Sequence, residues 1–293
     1  MLKRLLLWTA LPLLAAGALA VFAPLPTLNL LGSVAGGYDS RTDVPYGPLA
    51  RQRLDIYTPR AEAPAGGWPM VVFFYGGSWN TGERGNYKFV ATSLAARGVL
   101  AMVADYRLYP EVRYPDFLTD CAQALAFGLK EGPRLGANPK RLFVMGHSAG
   151  AYNAAMLALD PRWLAATGHT PAELAGWVGL AGPYDFFPTD NVAAQPVFFH
   201  PNYPARAQPI EFGDANAPRA FLGAPLHDAI VNPTRSTRGL AARLQATGAP
   251  VTLKLYERAS HATLIGAMAW PLRWIAPVHA DVLAFIESAA PRP

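Results

Sequence analysis

Four short runs fix what this chain can fold into. "MVVFFYGG" (70–77), "VLAMVADYRL" (99–108), "RLFVMG" (141–146) and "GWVGLAG" (176–182) are nearly continuous apolar stretches, and three of them end in glycine. They show none of the in–out alternation of a half-exposed strand, so each is expected to be a strand covered on both faces. Between them lie segments with helical spacing, at 89–98, 114–130 and 148–160. A further helix is expected over 236–248, a strand over 251–257 and a last amphipathic helix near 274–288. Buried strands alternating with helices predict an α/β fold with a mostly parallel sheet. "RLDIYTP" (53–59) does alternate and reads as a first, edge-type strand.

The chain has 293 residues, enough for one large core, with 52% hydrophobic and 15% charged residues. Its formal charge of +5 includes Lys3 and Arg4 of the leader, and the remaining basic residues are spread without a cluster. A nucleic-acid partner is therefore not expected. The single cysteine, Cys121, excludes an internal disulfide and a cysteine metal site, and its helical position reads as packing.

The start joins a basic pair to an apolar stretch from Leu5 to about Ala23, with Ala18-Leu19-Ala20 as an A-x-A pattern. Two readings stand: a cleaved secretory signal peptide, or an uncleaved membrane anchor of near-minimal length. Both imply export, to a periplasmic, secreted or membrane-attached destination. Residues 24–45, with Pro24, Pro26, Gly36 and Gly37, are expected to be an irregular linker, and 46–293 the folded domain.

The most telling short motif is "GHSAG" (146–150), a G-x-S-x-G placed between an expected strand and an expected helix. A serine raised on such a corner needs small neighbours, and the helix N-terminus faces any negative charge that develops there. Ser148 is thus the expected nucleophile. A hydroxyl is a weak nucleophile until a base takes its proton. Of six histidines, only His261 directly follows a late strand, in the loop "ERASHATLIG". His147 is too close in sequence to turn back on Ser148, His169 and His200 lie in loops, and His279 lies in the terminal helix. The orienting acid should also end a strand; Asp228 in "LHDAIVNP" has the required chain order, with Asp185 in "GPYDFF" as its rival. For an oxyanion, the N–H of Ala149 and the loop "FFYGGSWNTG" (73–82) are the expected donors.

In this order, "FYGGSW" (74–79), "DYRLYPE" (105–111), "GHSAG" (146–150), "HDAIVNP" (227–233) and "SHA" (260–262) resemble the α/β-hydrolase serine carboxylesterases related to hormone-sensitive lipase. The resemblance runs from about Tyr46 to the C-terminus. It implies a serine carboxylesterase with Ser148, Asp228 and His261 as triad, and with N–H donors at Gly77, Ser78 and Ala149. It implies no metal or organic cofactor, and a small ester as partner. Tyr75 and Ser78 depart from the family's HGGG pattern.

Asp105 and Arg107 read as a scaffold ion pair. Tyr75, Trp79 and His227 are expected pocket walls. The irregular stretch 183–217 is either a lid or ordinary packing. The "YGGSW" loop also resembles kynurenine-formamidase and isoprenylcysteine-methylesterase relatives, and the domain is akin to that of prolyl oligopeptidases. An amidase, formamidase or peptidase reaction, or a non-enzymatic binding module, are the alternatives.

Overall fold

The computed structural model describes residues 24–34 and 36–289; the leader expected over residues 1–23 lies outside them. At its centre are β3 (Trp68–Phe74) and β5 (Ala137–His147), paired in parallel from Met70–Leu142 to Phe74–Gly146. Every residue of β3 is buried, as its unbroken apolar sequence requires. With β1 (Tyr38–Pro45), β2 (Arg53–Pro59), β4 (Leu100–Ala104), β6 (Gly176–Leu180), β7 (Ala220–Pro225) and β8 (Val251–Tyr256), they form one eight-stranded sheet. The order is β1-β2-β4-β3-β5-β6-β7-β8, parallel except where β2 pairs antiparallel with β1 and β4.

The helices, in chain order, are α1 (Pro24–Val34), α2 (Lys88–Ala95), α3 (Asp116–Glu131), α4 (Ala149–Leu159), α5 (Pro161–Ala165), α6 (Gly239–Ala246), α7 (His261–Gly266) and α8 (Val278–Glu287). From β3 the chain crosses through α2 to β4 on one side; from β5 it crosses through α4 to β6 on the other. Right-handed crossovers in opposite directions put α2 and α4 on opposite faces. They also make the gap between the C-terminal ends of β3 and β5 the point where strand order reverses. Crevices at such switch points are where open α/β sheets bind ligands.

Three expectations are corrected here. Residues 24–45 are no linker: α1 packs on α2, where Asn29 bonds both the Gly85 carbonyl (2.7 Å) and the Phe89 N–H (2.9 Å), and β1 is the sheet's edge. It follows that β2 is not the edge strand. Arg107 does not pair with Asp105 either. Its guanidinium grips the fully buried Asp120 at 2.8 and 2.9 Å, while Asp105 is bound by Arg84 and Tyr75.

The stretch 183–217 has only short 3₁₀ turns, but it is anchored. Phe198 is fully buried among Trp79, Phe117, Tyr152 and Phe186. No helix among the described residues is long and apolar enough to cross a membrane.

Candidate active site

β5 delivers the chain to Ser148, which caps α4 with φ 55° and ψ −122°. For a non-glycine residue that geometry costs of order 1–3 kcal/mol and persists only where its surroundings enforce it. Here they do: the Ser148 N–H donates to the Leu180 carbonyl (2.9 Å), and the next turn of α4 closes on the Ser148 carbonyl. The flanking glycines are sterically required. A Cβ on Gly146 would sit 2.0 Å from the Gly150 oxygen, and one on Gly150 would sit 2.0 Å from the Phe74 oxygen.

His261 opens α7 after the four-residue turn 257–260 that follows β8. Ser260 caps that helix by accepting the Thr263 N–H (3.3 Å), and its own N–H donates to Thr263 Oγ1 (2.7 Å). This holds the imidazole with Nε2 2.9 Å from Ser148 Oγ and Nδ1 2.8 Å from Asp228 Oδ2. Asp228 follows β7, and its other oxygen accepts the N–H groups of Ile230 (2.8 Å) and Val231 (3.2 Å). Burial raises the pKa of this carboxyl, but the bond from His261, its charge and those two N–H groups outweigh that. The net position is below the ordinary carboxylate value. Asp185, the rival acid, is instead salt-bridged to Arg235 at 2.8 Å.

His147 packs against the His261 ring, with centroids 4.9 Å apart, and its Nε2–H donates to the His261 carbonyl at 3.0 Å. Its Nδ1 is buried without a partner. Burial, then the neighbouring His261, push its pKa down to about 3, so it is a neutral strut.

The loop after β3 lies against the serine; a Cβ on Gly76 would be 2.8 Å from Ser148 Cβ. Gly77, Ser78 and Trp79 all have positive φ (134°, 49° and 58°). That turn is held by the Gly77 carbonyl, which accepts the N–H groups of Asn80 (3.0 Å) and Thr81 (3.1 Å). Two contacts that sequence reasoning missed also hold it: Trp79 Nε1–H to Asn153 Oδ1 (2.9 Å) and Asn191 Nδ2–H to Ser78 Oγ (3.1 Å). Asn153 had a visible signal, being the one amide in the Ala-rich helix α4.

Of the expected pocket walls, only Trp79 lines the cavity beside Ser148, a space of about 200 Å³ that also touches Phe186, Asn191, Ile230, Val231 and Arg235. Tyr75 is wholly buried behind the loop, with its hydroxyl on Asp105 (2.7 Å) and Arg51 (2.7 Å). It belongs to the scaffold because its buried polar end had to find partners, which the residue after β4 and Arg51 supply. His227 is exposed and does not line that cavity. The segment 183–217 contributes cavity wall and core packing together.

This sheet order, with a serine elbow after β5, an acid after β7 and a histidine after β8, defines an α/β-hydrolase fold. Residues 54–244 match the BD-FAE family, and the chain belongs to that family.

Among curated proteins it is similar to an isoprenylcysteine alpha-carbonyl methylesterase of Arabidopsis thaliana, 32% identical over 151 residues that make up 50% of this chain and 35% of that protein. It is also similar to esterase LipC of Mycobacterium tuberculosis, 28% identical over 227 residues, 71% of this chain and 56% of that one. The chain thus spans about a third to a half of the length of these relatives. In structure it resembles esterase B from Lactobacillus rhamnosis, with a TM-score of 0.73, 17% identity and 94% of each chain covered.

Proposed function

We propose that the protein is a serine carboxylesterase that hydrolyses small to medium acyl esters through an acyl-enzyme. The observation that carries this reading is the unbroken relay Asp228–His261–Ser148, with its oxygen-to-nitrogen distances of 2.8 and 2.9 Å.

Asp228 fixes the tautomer: Nδ1–H faces the carboxylate, which leaves the Nε2 lone pair toward Ser148 Oγ. As Oγ attacks the ester carbonyl, His261 takes its proton, and Asp228 stabilises the imidazolium. The carbonyl oxygen becomes negative in the corner between the β3 loop and α4. There the N–H groups of Gly77, Ser78 and Ala149 serve as the oxyanion donors; each such donor typically contributes about 3–4 kcal/mol. His261 then protonates the leaving alcohol and activates the water that releases the acid.

A cavity of about 200 Å³ is small beside typical drug-sized sites of about 300–1,000 Å³, which favours short acyl groups. Exported placement, with residues 5–23 removed as a signal or kept as a membrane attachment, is part of the same proposal. Sequencing the N-terminus of the exported product tests it.

The activity is tested with p-nitrophenyl acetate and butyrate against the matching anilides and formamides. Turnover of the esters, lost in Ser148→Ala, is expected. Faster turnover of the formamides or anilides would replace the ester with an amide as substrate.

A further inference from the structure

Among the described residues most exposed large apolar side chains are scattered singly, but three lie on two adjoining elements that contribute nothing to the cavity beside Ser148. Leu30 of α1 is 66% exposed, and Trp270 and Trp274, around the 3₁₀ turn Trp270–Leu272, are 55% and 69% exposed. The elements are tied together: the Trp270 indole N–H donates to the Leu31 carbonyl at 3.3 Å, and Gly266 lies between Leu272 and Leu28. Exposed tryptophans are costly in water and are enriched where a protein meets the headgroup layer of a bilayer.

Beside them is a cleft of about 200 Å³ between α2 and the turn, lined by Gly32, Phe89, Thr92, Ser93, Arg97 and Arg273 among others. It carries two guanidinium groups and no carboxylate. Neither arginine forms an ion pair among the described residues. Arg273 Nη2 donates to the Met268 carbonyl (3.4 Å) and contacts His279 Nε2 (3.0 Å), while its Nε has no hydrogen-bond partner. Burial and then the charge of Arg97 lower the Arg273 pKa, as expected for two cations without an anion between them. α1 begins at Pro24, directly after the sequence's apolar run from Leu5 to about Ala23, which is itself preceded by Lys3 and Arg4.

The geometry points to a membrane-docking face: Leu30, Trp270 and Trp274 enter the headgroup layer of an anionic bilayer, and the cleft bearing Arg97 and Arg273 takes a headgroup phosphate. Apolar insertion beside basic side chains is the combination that binds such surfaces, each basic group adding about 1 kcal/mol, or about fivefold in affinity. The face belongs to the folded domain. It acts whether the leader is cleaved or kept, and independently of the reaction at Ser148.

The test uses the full chain with one introduced thiol, since Cys121 is buried and shielded from labelling. A bimane probe is placed at Trp274→Cys or, on the cavity side, at Val192→Cys, which is 78% exposed. Each is mixed with phosphatidylcholine vesicles containing phosphatidylglycerol and nitroxide-labelled lipid, and circular dichroism checks folding. The expected result is strong quenching at 274 and little at 192. Adding Arg97→Glu should reduce the quenching at 274, with binding about fivefold weaker or more. Vesicle-bound protein unquenched at 274 would overturn the inference, leaving residues 5–23 as the only attachment; so would quenching at 192 instead, or no binding at all.

Discussion

Asp228 and Asp105 are two carboxylates with buried side chains that follow strands β7 and β4, with three strands between them in the sheet, and they are used in opposite ways. Asp105 directly follows β4 and is held from several sides. It takes the Arg84 backbone N–H (2.8 Å), the Arg84 guanidinium, the Tyr75 hydroxyl (2.7 Å) and, at 3.7 Å, Arg51. Arg84 in turn reaches Asp55 and Asp43, each at 2.8 Å. All of these cations are permanent, because arginine does not lose its proton in this range. Asp228 has two backbone donors and one imidazole, whose far nitrogen is left for Ser148. One carboxylate organises structure by pairing with charges that cannot move. The other, in the proposed mechanism, organises chemistry by pairing with a base whose charge must come and go.

The sharpest way to break that contrast is to remove the group the relay serves. Ser148→Ala is expected to lower kcat for p-nitrophenyl butyrate by about 10⁶-fold with unchanged unfolding, because the members of such a relay act as a unit. Asp228→Asn should follow at about 10⁴-fold, since an amide favours the wrong imidazole tautomer. Its midpoint of urea unfolding should shift little. Asp105→Asn should invert the pattern, costing about 3–5 kcal/mol of stability by stranding buried guanidinium groups, while its folded fraction keeps kcat within about tenfold. If Asp105→Asn lost more activity per folded molecule than Asp228→Asn, the division of labour would be wrong. Asp185→Asn should be mild in both assays, within about 1 kcal/mol, because its pair with Arg235 is partly exposed.

Acid sensitivity sharpens the same comparison. His147 and His279 are buried, and desolvation pushes their pKa values down to about 3 and about 4. An unfolded chain protonates both near 6.5. Between pH 6.5 and about 4 the unfolded state therefore binds more protons than the native one, and stability falls as the pH is lowered. Asp228 works in the same direction at still lower pH. Its contribution is complete above the ordinary value of 3.8 and is lost as the pH falls through the lower native one. In His279→Gln, the proton uptake on unfolding between pH 6.5 and 4, read from urea midpoints, should drop from about two to about one for these histidines. An unchanged slope would contradict the burial argument.

The relay residues could be picked out because chain order and strand ends constrain them. Ser148 and Asp228 each follow a strand whose last residues are buried, and His261 follows the half-buried β8, the last strand of the chain's described residues. What was hidden lacked such a constraint. β1, "YDSRTDVP", is exposed along most of its length, so it has no apolar alternation to read. α1, "PLPTLNLLGSV", carries two prolines and a glycine that signal a linker, and only its packing on α2 makes it a helix. The pairing of Asp105 with Arg84 rather than Arg107 spans 21 residues and depends on how β4 lies against the loop after β3. Tyr75 was misread for a related reason: a family motif fixes where the loop's backbone goes, while a departing side chain follows its own search for partners.

Covalent trapping bears most directly on the claim that this geometry turns Ser148 into a nucleophile. The protein is treated with p-nitrophenyl butylphosphonate, its intact mass is measured, and the modified peptide is mapped. One adduct per chain on Ser148 is predicted, formed in step with loss of esterase activity, strongly slowed in Asp228→Asn and absent in Ser148→Ala. An unmodified chain that still hydrolyses esters, or an adduct on another residue, would contradict it.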